Sequence, residues 1–137
     1  MAFWLIKSEP STWSWSQQVE KGIEQWDGVR NYQAANNLKS MQLGDFCFFY
    51  HSNVGKEIIG IVEVVKEAYI DPSDPTDKFV AVDVKAIKTL VKPVTLTAIK
   101  QTEDLQDIAL IKQSRLSVMP ISEEHWNKIM NMSTLPD

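Results

Sequence analysis

Little in this chain is suited to covalent chemistry. Its 137 residues include one cysteine and two histidines. With only Cys47 present, no intrachain disulfide can form. Cys47 sits in the apolar run Phe46-Cys47-Phe48-Phe49-Tyr50, which predicts a buried core residue rather than a reactive thiol. Neither His51 nor His125 belongs to a His/Cys/Asp group at metal-ligand spacing, so no metal and no cofactor is expected. Gly55-Lys56 lacks the glycines and the following hydroxyl of a phosphate loop, and no dinucleotide fingerprint or nucleophile elbow occurs. A basic excess is missing too: 14 Lys and Arg face 18 Asp and Glu, a net charge of -4, and both halves of the chain are acidic. Tight, indiscriminate phosphate binding normally comes with clustered cations, so it is not expected. No apolar run approaches the roughly 20 residues that span a bilayer. Lys7 and Glu9 interrupt the first apolar residues, which argues against a secretory leader. These absences point to a soluble, cytoplasmic monomer with no membrane association and no catalytic residues.

What is present is a core. Hydrophobic residues make up 44% of the chain, enough for one domain over residues 1–137. Residues 2–6 read as a first strand that Pro10 must end. Ser14 and Gln17 have capping-box spacing for a short helix to about Lys21, which Gly22 would close. Asn31 could cap a helix through Met41. Residues 46–51 and 57–66 read as a hairpin joined over 53–56, and Pro72-Ser73-Asp74-Pro75-Thr76-Asp77 as a loop. Residues 79–90 alternate as a half-buried strand with a break near Lys88, and Pro93 marks a further boundary. Residues 97–101 and 103–111 read as short helical pieces, and 115–118 as a last strand before Pro120. Ser122 opens a final helix that carries Trp126, Ile129 and Met130. The sum is an α+β fold of five or six strands with short helices. A small barrel or strongly bent sheet is expected, not a doubly wound α/β fold, because no regular crossover helix appears.

The run Trp26-Asp27-Gly28-Val29-Arg30-Asn31 stands out. It combines a flat wall, hydrogen-bonding groups and a cation, which suits recognition of a flat polar ligand such as a base. Trp26 could stack on a base, worth roughly 1–3 kcal/mol, or pack in the core. Arg30 could contact phosphate, or brace the loop by pairing with Asp27 or Glu9. Asn31 is read first as a helix cap and second as a base reader. Lys7 and Ser8 close the first strand and could face a ligand, or merely be solvated and cap a turn. Tyr50, Ser52 and Asn53 could form another wall, with His51 either structural or beside the ligand. Trp13 and Trp15 lie outside the strands, and one of them could face the cleft. Trp4 and Trp126 read as core. If residues 115–118 form a strand, Arg115 and Ser117 share its polar face and could touch backbone phosphate.

These segments carry a resemblance. Trp4-Leu5-Ile6-Lys7-Ser8-Glu9-Pro10, Trp26-Asp27-Gly28-Val29-Arg30-Asn31-Tyr32-Gln33-Ala34, Asn36-Asn37-Leu38, Gly44-Asp45, Phe48-Phe49-Tyr50-His51-Ser52-Asn53 and Arg115-Leu116-Ser117-Val118 occur in order across nearly the whole chain. In them the chain resembles EVE-domain proteins of the PUA-like superfamily, which include the thymocyte nuclear protein family. The resemblance implies a PUA-like curved β-barrel or strongly bent mixed sheet with short flanking helices. It also implies a pocket related to that of YTH domains, which read methylated adenine in RNA, and a role in reading modified bases. Two positions depart from the family pattern. Ala35 stands where arginine is common, which lowers local positive charge, and Trp13 stands where tyrosine is common, which keeps an aromatic ring.

The combined expectation is a non-enzymatic module that binds DNA or RNA carrying a modified base. The candidate base pocket comprises Lys7, Ser8, Trp26, Val29, Arg30, Asn31, Tyr50, His51, Ser52 and Asn53, with Trp13, Arg115 and Ser117 at the rim. Two alternatives use the same surface: a small-metabolite or protein-interaction module, and a hydrolase with His51 as its base.

Overall fold

The computed structural model describes residues 1–134. Strand β1 (Phe3–Ser8) leads into helix α1 (Trp15–Lys21), strand β2 (Ile23–Trp26) and helix α2 (Tyr32–Ser40). The long strands follow: β3 (Phe46–His51), β4 (Glu57–Ile70) and β5 (Val80–Thr95). Helix α3 (Leu96–Lys100), a 3-10 turn (Glu103–Leu105) and helix α4 (Ala109–Lys112) precede strand β6 (Val118–Ile121) and helix α5 (Glu123–Met132). The helix starts follow sequence logic. Ser14 and Gln17 form the capping box of α1, Asn31 caps α2, and Ser122 caps α5. No helix of the described residues is long and apolar enough to cross a membrane.

One six-stranded sheet runs in the order β2-β5-β4-β3-β1-β6. Strands β1 and β3 are parallel, with Ser8 beside His51, and every other neighbouring pair is antiparallel. The mixed sheet and short helices match the α+β expectation. The barrel does not form: β2 and β6 are the two edges and have no ladder to each other among the described residues, so the sheet stays open. Neither the barrel nor the strongly bent sheet of the sequence reading is realised: β2 and β6 each pair on one side only, with β5 and β1.

Strand β3 explains the layering. Cys47 to Tyr50 are all buried, so both faces of this strand are covered, and the sequence there is an apolar run rather than an alternation. Phe48 points to one face and stacks on Trp126 of α5, with ring centroids 3.7 Å apart. Phe49 points to the other and meets Trp15 of α1 and Trp26 of β2 edge-on, at 5.1 and 5.6 Å. Cys47 is fully buried, and burial, helped by the nearby Asp45 carboxylate, pushes its thiol pKa far up. Asp45 itself ties the entry to β3 to β1, accepting from the Trp4 indole N–H at 3.0 Å and the Ala2 N–H at 3.1 Å.

Three strand readings needed correction. Residues 23–26 form an edge strand, which so short and half-exposed a segment does not advertise. Strand β5 runs on through Lys88 and Pro93, because the β4–β5 register jumps from Gly60↔Thr89 to Ile58↔Val94. Pro93 falls in that unpaired stretch, where its missing N–H breaks no ladder bond. The last strand is Val118–Ile121, not 115–118. It includes Pro120, which is tolerated because β6 is an edge.

Gly60 sits under this irregularity and makes room for α1. A Cβ there would lie 2.3 Å from the Trp15 ring, whose indole N–H donates to Thr89 Oγ1 at 2.9 Å. Gly60→Ala is therefore expected to force Trp15 off β4 and cost about 1–3 kcal/mol, read as a lower midpoint in urea unfolding with an unchanged slope.

Candidate functional site

A cleft of about 600 Å³ opens between the end of β1 and strand β2. Lys7, Ser8, Glu9, Thr12 and Trp13 form one wall, Glu24 through Arg30 the other, and Ser117 borders both. Its size is that of a small-ligand site.

The β1 wall is built by a turn. The Glu9 carbonyl accepts the N–H groups of Thr12 and Trp13, both at 2.9 Å. The Ser8 hydroxyl donates to the Trp13 carbonyl, which locks the turn and sets Trp13 at the mouth. The Trp13 indole N–H is held by Gln18 Oε1 at 3.0 Å. Lys7 donates its backbone N–H to the Ser117 carbonyl and its ammonium to the Ser114 carbonyl at 2.7 Å. Burial lowers the Lys7 pKa.

The β2 wall hangs on a residue outside every sequence motif. Asp71, fully buried, accepts the Gly28 N–H at 2.8 Å, the Arg30 guanidinium at 3.0 Å, and the Ser73 N–H and hydroxyl, both at 2.7 Å. Burial alone would raise its pKa; the donations from Ser73, Gly28 and Arg30 outweigh it and hold the carboxyl below its ordinary range. Gly28 makes the turn at φ 78, a region that costs other residues strain. Arg30 also donates to the Ser73 hydroxyl at 3.1 Å and lies 5.3 Å over the Phe79 ring. Arg30 is thus a brace, and its partner is Asp71 rather than the expected Asp27 or Glu9. An Asp-Pro-Ser run is a turn signature in which the aspartate bonds the backbone two residues on, and this was the available signal.

Trp26 is 8% exposed and packed on Phe49, yet it lines the cleft. No hydrogen-bond acceptor takes its indole N–H, and no buried side-chain nitrogen or oxygen among the described residues lacks a partner, so this N–H retains access to solvent. The indoles of Trp4, Trp13 and Trp15 all have acceptors. The charge of the cleft is also distinctive. Three carboxylates, Glu9, Glu24 and Asp27, outnumber Lys7 and Arg30. Glu9 accepts from Asn53, and Glu24 from Lys21, while Asp27 has no hydrogen-bond partner. The cleft offers acceptors, not a phosphate seat.

The remaining candidates lie elsewhere. Asn31 is the α2 cap, accepting the Ala34 N–H at 2.9 Å. Tyr50 is buried in β3, the Ser52 N–H donates to the Ser8 carbonyl, and Asn53 holds Glu9 at 2.7 Å. None of these four lines the cleft, nor does His51. His51 Nε2 accepts the Trp15 N–H at 3.0 Å, at the start of α1. The lone pair that a general base needs is spent there, which removes the hydrolase alternative. Arg115 lies in a turn, exposed, and lines a separate groove with Asn31. Ala35 is 2% exposed, so its side chain faces the protein interior rather than a ligand. Glu9, Thr12, Glu24, Gln25, Asp27 and Gly28 are cleft residues absent from the sequence-derived set.

Residues 2–132 match the model of the EVE domain. The chain is 33% identical to Thymocyte nuclear protein 1 of Rattus norvegicus, over 95% of this chain and 73% of that one. An NMR structure from Rhodopseudomonas palustris shares 53% identity at a TM-score of 0.94, covering 100% of this chain and 96% of that chain. A crystal structure of human THYN1 in complex with 5-methylcytosine containing DNA superposes at a TM-score of 0.88 with 30% identity, covering all of both chains. The cytoplasmic expectation does not stand beside these names: the rat, mouse and human relatives are all called nuclear proteins. Disulfides are as rare in nuclear as in cytosolic proteins, so one unpaired cysteine does not separate the two compartments.

The His51 contact has a pH signature. Burial lowers its pKa from 6.5, with Glu57 opposing. Neutral His51 therefore stabilises the fold above about pH 6.5, and this contribution is lost as pH falls through the lowered folded value. Between about pH 7.5 and pH 5, the melting temperature of the native protein should fall more than that of His51→Gln, whose amide oxygen can still accept the Trp15 N–H. Parallel pH profiles would contradict this role.

Proposed function

The chain belongs to the EVE-domain family, and on that premise we propose that it is a non-enzymatic reader of nucleic acid that takes a modified base into the cleft between β1 and β2. The observation that carries the reading is a cleft lined by Trp26, whose indole N–H has no acceptor within the protein, and by an unpaired acceptor, Asp27. The human relative solved with 5-methylcytosine DNA supports it, at full coverage of both chains. Trp26 and Trp13 offer flat walls for a base. Asp27 suits an exocyclic amine, as carboxylates accept from the cytosine amino group. A cytosine-type base in DNA is therefore the first ligand to test.

No covalent step is required of the cleft. The reading is of capture: a base leaves its stack at a cost of a few kcal/mol, so single-stranded or distorted sites bind more readily. Cleft contacts that carry no net positive charge reward the base and not the backbone, which favours selectivity over raw affinity.

Asp27→Ala gives the sharpest test. Removing an anion should strengthen any purely electrostatic attraction to DNA. The base-reading role predicts the opposite for a 5-methylcytosine oligonucleotide: a loss of roughly tenfold, in line with the 1–3 kcal/mol of a base-edge contact. Fluorescence anisotropy on single-stranded oligonucleotides with and without the modification measures it. Equal affinity for both by the native protein, or tighter binding of the modified strand by Asp27→Ala, would contradict the proposal.

A further inference from the structure

We propose that the groove formed by Asn31, Gln33, Gln113, Ser114, Arg115 and Leu116 is a phosphodiester subsite that holds the backbone next to the captured base. The inference rests on the base-reading function above and adds the seat for the phosphate, which the cleft itself does not provide.

A base in the cleft brings its phosphate with it, and the three cleft carboxylates repel that charge. The cleft cations compensate only in part. Arg30 is neutralised by Asp71, and the Lys7 ammonium, though still charged, is drawn out of the cleft toward the Ser114 carbonyl at the groove. A second cation beside Lys7 and outside the carboxylate-lined cleft would complete the seat.

The groove meets both conditions. It measures about 350 Å³, and its lining is a cation, three amides, a hydroxyl and an apolar residue, with no carboxylate. Arg115 is exposed and has no partner among the described residues, so all its donors are available for a bidentate phosphate contact. The groove shares its wall with the cleft at three points. Asn31 follows cleft residue Arg30, Leu116 precedes cleft residue Ser117, and the Lys7 ammonium reaches from the cleft to Ser114.

A second groove with cations lies near Lys56 and Lys100. It is the weaker seat. Its link to the cleft is Asn53, and Asn53 holds Glu9, so a carboxylate stands between that groove and the base.

The test uses three oligonucleotide measurements on the full chain: native, Arg115→Gln and Lys100→Gln. Both variants change exposed side chains, and circular dichroism checks the fold. Arg115→Gln should weaken binding of modified and unmodified strands by the same several-fold factor. It should also reduce the slope of log affinity against log salt by about one. The preference for the modified base should survive. An unchanged slope in Arg115→Gln, or loss of that unit in Lys100→Gln instead, overturns the groove assignment. A native protein that binds strands without preferring the modified base overturns the cleft reading while the slope still tests the groove. Failure to bind any oligonucleotide overturns both.

Discussion

A buried carboxylate, Asp71, holds the wall of the cleft between β1 and β2 in shape. Asp71 gathers four donors from two segments that are far apart in the chain: Gly28 and Arg30 beside β2, and Ser73 in the loop before β5. An ionised group so enclosed would be costly without those donors, and with them it is pinned. The consequence is mechanical and electrostatic together. The chain after Trp26 turns at Gly28 and cannot drift, so the wall of the cleft is preset. Arg30, the one guanidinium there, is spent on the protein itself.

That expenditure decides what kind of binder this is. A cleft with a free arginine would draw any phosphate, and affinity would follow salt more than sequence. Here the acceptors Glu9, Glu24 and Asp27 dominate the cleft, and the Trp26 indole N–H has no acceptor within the protein. Such a site rewards a flat base that presents an amine and a hydrogen-bond acceptor. The net charge of -4 acts in the same direction, because a chain with this balance gains little from nonspecific contact. The neighbouring groove with Arg115, free of carboxylates, is the proposed seat for backbone attraction.

The sequence made much of this legible, unevenly. Capping signals at Ser14, Asn31 and Ser122 were local and therefore readable, since each acts within three residues of itself. Strand β3 was readable because burial on both faces leaves an unbroken apolar run. The segments Lys7–Ser8 and Trp26–Arg30, singled out in the sequence, meet in one cleft at the end of β1. Long-range polar pairing was not readable. Nothing in the spacing of Arg30 and Asp71 says that they meet, and His51 reads as a potential base until Trp15 is seen to use its lone pair. The open sheet was equally hidden, because local alternation reports burial, whereas closure depends on whether β2 and β6 find each other.

The central claim is that a modified base enters beside Trp26. Nuclear magnetic resonance of the nitrogen-15 labelled indole groups observes that directly, because each of the five tryptophans gives its own N–H signal. During titration with a single-stranded oligonucleotide bearing 5-methylcytosine, the Trp26 signal should shift and saturate. The Trp4 and Trp15 signals, whose protons are held by Asp45 and Thr89, should stay in place. Saturable binding with an unmoved Trp26 signal would contradict the account.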